Sequence, residues 1–288
     1  MSQWLNSPLA IGVGTRELVI GATTPRWMRQ RKLPAPAEPL SVVIPEAQCF
    51  TEAGLLDALK LALAGFPVDP GHKRAPKQHA CIVLDDFWAS HAILRGDFRT
   101  LHAPEIEEVV LAHLNDIYGI EAGSVLVRFS VQRDGRAVFA SAMSRTLHEG
   151  IHDASAEART RIRGLRLCLP EMLNRANSTI GEGAAMLLFI ADTLMQAVLL
   201  EQNCWVAYDA QRLFHGDTSD PAIIAARAEQ AFERLASRTS GKREDCGIYL
   251  YGIEIDPAPF EGRFSTTVRP AQPTHERSDA HRLMKVAQ

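Results

Sequence analysis

The segment LAIGVGTRELVIGA at positions 9 to 22 constrains this chain more than any other. Leu18, Val19 and Ile20 are strand formers, and Gly12 and Gly14 punctuate the run, so it predicts a strand, a tight turn and a second strand. SVVIP at 41 to 45 reads as a short third strand ended by its proline. A helix follows over Thr51 to Ala64, with leucines at 55, 56, 59, 61 and 63, Thr51 as N-cap and Glu52 in the first turn.

The same alternation continues along the chain. After the polar, proline-bearing stretch at 67 to 78, the run ACIVLDDFWASHAIL gives two strand-like stretches around Asp85 and Asp86. Pro104 to Tyr118 has helical apolar spacing, with Pro104 near its start and Gly119 at its end. Val125 to Gln132 and Arg136 to Met143 flank Asp134-Gly135, a strong hairpin signal. Ser144 to Arg163 reads as a polar helix, and Leu165 to Leu169 as a strand ended by Pro170. Two strands are expected in 184 to 200, continued at Cys204 to Tyr208; a helix at Pro221 to Ser237 and a strand at Cys246 to Ile255 complete the order. Residues 269 to 288 are polar and read as a loose tail. Strands alternating with helices imply an α/β protein whose sheets are partly covered by helices. The blocks Ile11 to Ala64 and Leu187 to Ile255 share a plan, strand pair first and helix later, which points to two lobes.

Composition removes several function classes. A formal charge of −3 carries no basic excess, so a nucleic-acid partner is not expected. The one dense basic run, RWMRQRK from Arg26 to Lys32, reads as a solvated loop or as a patch facing an acidic partner or anionic lipid. The five cysteines are widely spaced and never form a CxxC pair, which argues against structural zinc and a disulfide framework and fits a reducing cytoplasm. No signal-peptide pattern and no run of about 18 uncharged apolar residues occurs, so direct membrane insertion is not expected.

Four motifs carry possible chemistry. His148-Glu149-Gly150-Ile151-His152 spells H-E-x-x-H, in which two histidines one turn apart grip zinc and the glutamate activates water. Gly150 weakens the helix between the ligands, and Arg145, Asp153, Glu157 and Arg159 mark a solvated face, so the expectation is no metal, with His148 and His152 as the residual zinc candidates. Gly12-Val13-Gly14-Thr15 can present backbone amides to phosphate but has neither Walker-A spacing nor a third glycine. Ser178 to Gly183 reads as an interlobe connector. Asp85 and Asp86 would diverge within a strand, so a strand end suits them better than a shared metal.

The layout resembles the actin-like assembly-platform proteins of bacterial type IV pili and type II secretion, PilM-like proteins and the GspL cytoplasmic region. LAIGVGTRELVIGA resembles the first phosphate hairpin of actin-like ATPases. SVVIPEAQCFTEAGLLDALKLAL and ACIVLDDFWASHAILRGDF, the latter followed by a helix ending in Tyr118-Gly119, are similar to PilM-like segments; LLFIADTLMQAVLLEQNCWVAYDAQRL resembles their second-lobe strand pair. The resemblance covers residues 9 to 256 and implies a two-lobed actin-like (ribonuclease H-like) fold with mixed sheets flanked by helices. It places a first lobe at 1–180 with an inserted subdomain at about 80–145, a second lobe at 181–268 and a flexible tail at 269–288. Where active members carry the aspartate of a D-x-G pattern, this chain has Gly12; Asp192 is followed by Thr193, Leu194 and Met195 instead of a glycine; and YLYGIEID keeps only Gly252 of a glycine cluster. The resemblance therefore implies a degenerate nucleotide cleft, with Gly12, Gly14, Thr15 and Asp192 as remnants, no cofactor and no enzymatic activity. It further implies a cytoplasmic scaffold, peripheral to the inner membrane, that binds a membrane-subunit tail, the secretion or pilus ATPase, or both; homodimerisation is left open. The competing expectations are a nucleotide-binding actin-like ATPase or switch, and a zinc hydrolase through His148, Glu149 and His152.

Overall fold

The computed structural model describes residues 8–23, 38–65, 78–176, 180, 183–214, 216–239, 241–268, 270 and 278–288. In chain order the first elements are β1 (Leu9–Val13), β2 (Glu17–Ala22), β3 (Leu40–Val43), α1 (Glu52–Gly65), β4 (Gln78–Leu84), β5 (Ala89–Arg95) and α2 (Ala103–Tyr118). β6 (Val125–Val131), β7 (Ala137–Ser144), α3 (Arg145–Glu157), β8 (Thr160–Leu167) and α4 (Cys168–Ala176) follow. The remainder is β9 (Ala185–Ile190), β10 (Leu194–Glu201), β11 (Cys204–Arg212), α5 (Pro221–Leu235), β12 (Gly247–Gly252), β13 (Thr266–Val268) and α6 (Asp279–Val286). The protein is mixed α/β, and its contacts divide it into two compact units: Met1–Trp88 with Ser144–Met172 and His275–Gln288, and Ala89–Met143 with Leu173–Thr274.

The first unit is built on a five-stranded sheet of order β3-β2-β1-β4-β8. Its first three strands are antiparallel, as hairpin neighbours must be, and β4 and β8 run parallel to β1 after helical crossovers. One side of this unit holds α1 and α3, which meet at Gly150, where a Cβ would stand 2.6 Å from Cδ1 of Leu56. α1 starts as its sequence dictates: the Thr51 hydroxyl accepts from the Gly54 amide at 3.1 Å. On another face, α6 buries Ala280, Leu283, Met284 and Val286 against Ala10, Val19 and Val83.

The second unit repeats the plan. Its sheet has order β11-β10-β9-β12-β13, again antiparallel through the first three strands and parallel beyond. α5 covers it, with Ile224, Ala228, Ala231 and Phe232 packed on Met186, Leu188 and Leu250. The shared plan read from Ile11–Ala64 and Leu187–Ile255 is thus a shared sheet order. Residues 89–143 form a β-α-β-β module whose sheet has order β5-β7-β6 and whose α2 packs Ile106, Val110 and Leu114 onto Val127, Val138 and Ala140. By its contacts this module belongs with Leu173–Thr274. The Gln132 side chain fixes it by bonding both the amide and the carbonyl of Trp205, at 2.6 and 2.5 Å.

Three expectations are corrected. The helix expected over Ser144 to Arg163 ends at Glu157; Arg159 turns the chain at φ 54°, and Thr160–Leu167 pairs with β4 as an edge strand. Exposed arginines on a sheet edge look, in sequence, like a solvated helix face. The strand expected at Leu165 to Leu169 stops at Leu167, and Pro170 lies in the first turn of α4, where its missing N–H costs nothing. The tail expected to be loose contains α6, capped by the Ser278 hydroxyl accepting from the His281 amide at 3.3 Å. The basic run Arg26 to Lys32 and the polar stretch 67–77 lie outside the described residues, as do four of the six residues from Ser178 to Gly183.

If α6 is part of the core, truncating its buried leucine must cost stability. Leu283→Ala should lower unfolding stability by about 2–4 kcal/mol, read from urea denaturation. An unchanged midpoint would mean a tail that does not pack.

Candidate functional site at the first hairpin

In parallel α/β sheets, ligands sit at the carboxyl ends of the strands. In the first unit those ends are the β1–β2 turn, Asp85 after β4 and Cys168 after β8. The turn is tight, closed by the Gly14 amide donating to the Glu17 carbonyl at 3.0 Å. Its carbonyls are all occupied: Val13 accepts from the Asp85 amide at 2.9 Å, Thr15 from the Phe50 amide at 3.4 Å and Arg16 from the Ile44 amide at 2.8 Å. The Gly14 carbonyl accepts from the Trp88 indole, a buried bond of 3.2 Å. Gly14 and Thr15 are themselves buried.

Gly12 has a different task from the one its place in the hairpin suggests. A Cβ there would fall inside the Ala280 carbonyl and the Met284 amide, and 2.9 Å from the Leu283 carbonyl carbon. Gly21, on β2, similarly leaves room for the Met284 sulfur. These glycines let the α6 backbone press onto the sheet, and an aspartate at position 12 has no space.

The two adjacent aspartates stand at the strand end, as expected, and both are buried. They do separate jobs. Asp85 Oδ1 accepts from the Phe87 amide at 2.8 Å, closing the turn. Asp86 Oδ1 accepts from the Leu169 amide at 3.0 Å and so satisfies an open donor at the start of α4. Burial, and then the Asp86 charge, push Asp85 up to about 7; Asp279 adds to this and Arg282 opposes it. Arg282 pairs with Asp279 at 2.7 Å on α6. Burial and Asp86 likewise hold the Cys168 thiol well above its ordinary range, so it stays protonated and unreactive.

The remaining sequence candidates sit elsewhere. Asp192 belongs to the second unit, exposed in the β9–β10 turn that the Ala191 amide closes on the Leu194 carbonyl at 2.9 Å. His148 and His152 share a face of α3 with ring centroids 4.5 Å apart. Glu171, nineteen residues past His152, lies on α4 and is paired to Arg166 at 3.3 Å. Among the described residues no three His, Cys, Asp or Glu side chains are grouped to hold a metal. Sequence reasoning missed the parts that close the hairpin: Phe50, Trp88 and α6. No local pattern announces the Trp88 indole bond or the left-handed backbone of Phe50, φ 64°.

Two five-stranded sheets of one strand order, each with its antiparallel hairpin leading and parallel strands following, decide the fold class. The fold is actin-like. A Bacteroides thetaiotaomicron protein described as having an actin-like ATPase fold and unknown function superposes with a TM-score of 0.63 at 9% identity, covering 99% of each chain. A chain of the PilM–PilN type IV pilus biogenesis complex gives 0.57 at 14% identity, covering 98% of this chain and 95% of that one. The cytoplasmic domain of EpsL, an inner-membrane component of the type II secretion system of Vibrio cholerae, gives 0.53 at 8% identity, covering 98% and 94%. No protein-family model matches the chain, and no curated protein matches it in sequence. Among the described residues no helix is long and apolar enough to cross a membrane.

The buried Asp85 predicts a pH dependence. The unfolded chain ionises this carboxyl near 3.8, whereas the folded protein keeps its proton to about 7. Its contribution to stability is therefore complete below pH 4 and is lost as pH rises through 7. Asp85→Asn, which keeps an acceptor for the Phe87 amide, should remove that loss and be more stable than the parent at pH 8, by roughly 1–4 kcal/mol. Denaturant melts from pH 5 to 8 read it; a variant less stable at pH 8 contradicts the assignment.

Proposed function

We propose that this protein is a non-catalytic cytoplasmic scaffold of a bacterial type IV pilus or type II secretion inner-membrane platform. It binds the cytoplasmic tail of a membrane subunit, the assembly ATPase, or both. The observation that carries this reading is the seating of α6 on Gly12. In actin-like proteins that use nucleotide, the corresponding position carries the carboxylate that organises the metal and phosphates. Here that volume is filled by helix backbone, and the turn beside it is closed by Trp88 and Phe50. A hairpin so filled suits a rigid framework, whose sheet edges and grooves are the parts left to work. The likeness to a chain of the PilM–PilN complex and to the cytoplasmic domain of EpsL supports the same platform setting.

Cross-linking in native membranes tests the proposal. Photo-cross-linker variants of the tagged protein should capture an inner-membrane platform subunit with one transmembrane helix and a cytoplasmic tail, or the platform ATPase. Cross-links confined to soluble metabolic proteins would count against it.

A further inference from the structure

We infer that the outer edge of β3 is a docking edge for an extended, apolar segment of a partner protein that places an acidic residue beside Arg16. The inference rests on the scaffold reading above and adds where the partner sits and what it must look like.

A sheet edge offers unpaired backbone groups, and proteins that do not use an edge guard it with charge, a bulge, shortness or cover. The six edges here can be compared directly. At the far side of the same sheet, β8 carries Arg161, Arg163 and Arg166, and its register shifts opposite Ala80 and Cys81. β6 carries Arg128, and β13 is three residues long. β5 and β11 each carry charge and lie against one another. β3, with sequence LSVV, has neither charge nor bulge, and among the described residues nothing pairs with its outer side. Val43 is 73% exposed and Leu40 37%. Among the described residues, one edge of this sheet is thus guarded and the other is open.

The end of that edge fixes the partner's charge. The Ile44 amide ties the exit of β3 to the Arg16 carbonyl. The exposed Arg16 guanidinium lies 5.5 Å over the ring of Phe50, and among the described residues it forms no ion pair. Phe50 is 40% exposed and holds a left-handed backbone that a bulky residue rarely adopts. Phe87 braces its ring at 5.3 Å. A strand added to β3 gains ladder hydrogen bonds, meets Val43 with one alternate side chain, and runs out beside a cation held over an aromatic ring. A carboxylate there completes the charge pairing.

The probe is a synthetic peptide of about eight residues alternating valine and threonine and ending in aspartate, compared with the same peptide ending in amidated lysine. The aspartate peptide should bind with a Kd of about 10–100 μM and slow hydrogen exchange at residues 40–43 but not at 160–167. Val43→Lys should weaken it at least about fivefold with an unchanged melting temperature. Arg16→Glu should weaken it about tenfold and turn the preference toward the lysine peptide. Equal binding by Val43→Lys, equal binding of both peptides to the parent, no binding at about 1 mM, or protection at β8 instead of β3 would each overturn the inference. The two proposals fail separately. If Val43→Lys still cross-links to the platform subunit like the parent, the edge is not the docking place and the scaffold role stands. If the parent captures no platform subunit yet binds the aspartate peptide at 40–43, the edge stands and the platform role falls.

Discussion

The backbone of α6 runs against Gly12 so closely that no side chain fits between them. Much of the first unit follows from this contact. It fixes which face of β1 and β2 is covered, and it brings Ala280, Leu283 and Met284 onto Ala10, Val19 and Val83. It sets Asp279 and Arg282 beside the strand ends where Asp85 and Asp86 are buried, and so shapes the charge around them. A glycine that looks like part of a phosphate loop is instead the seat of a helix.

The turn of the hairpin is tied down from several sides. Four successive carbonyls of the turn are taken by amides or an indole from three other segments. Each bond is modest, but a buried polar group left without a partner would cost more than any one of them contributes. Moving the turn would mean breaking several at once. The nearby carboxylates are spoken for as well, one closing its own turn and the other satisfying the start of α4. Among the described residues beside the hairpin, the β3 edge and the Phe50 ring with Arg16 above it stay exposed.

The parts of the fold that sequence made legible are those set by local chemistry. The strand–turn–strand at 9–22, the Thr51-capped helix, the helix ending at Gly119 and the hairpin at Asp134-Gly135 each carry their own signal in neighbouring residues. β8 was misread because its alternating arginines have the polarity of a helix face, and pairing with β4 decides the matter. α6 escaped notice because eight residues hold too few apolar positions to show a period against a polar background, although Ser278 and Asp279 are a fair capping signal. The candidate site divides the same way. Gly12, Gly14 and Thr15 were found from their pattern, but what fills their surroundings comes from Phe50, Trp88 and Ala280, which are distant in sequence and carry no motif.

Titration with Mg-ATP, followed by heat and by hydrogen exchange at residues 12–17, tests the central claim most directly. A hairpin filled by α6 and closed by Trp88 should give no binding tighter than about 1 mM and no added protection. Micromolar affinity together with slowed exchange at the hairpin would contradict the account.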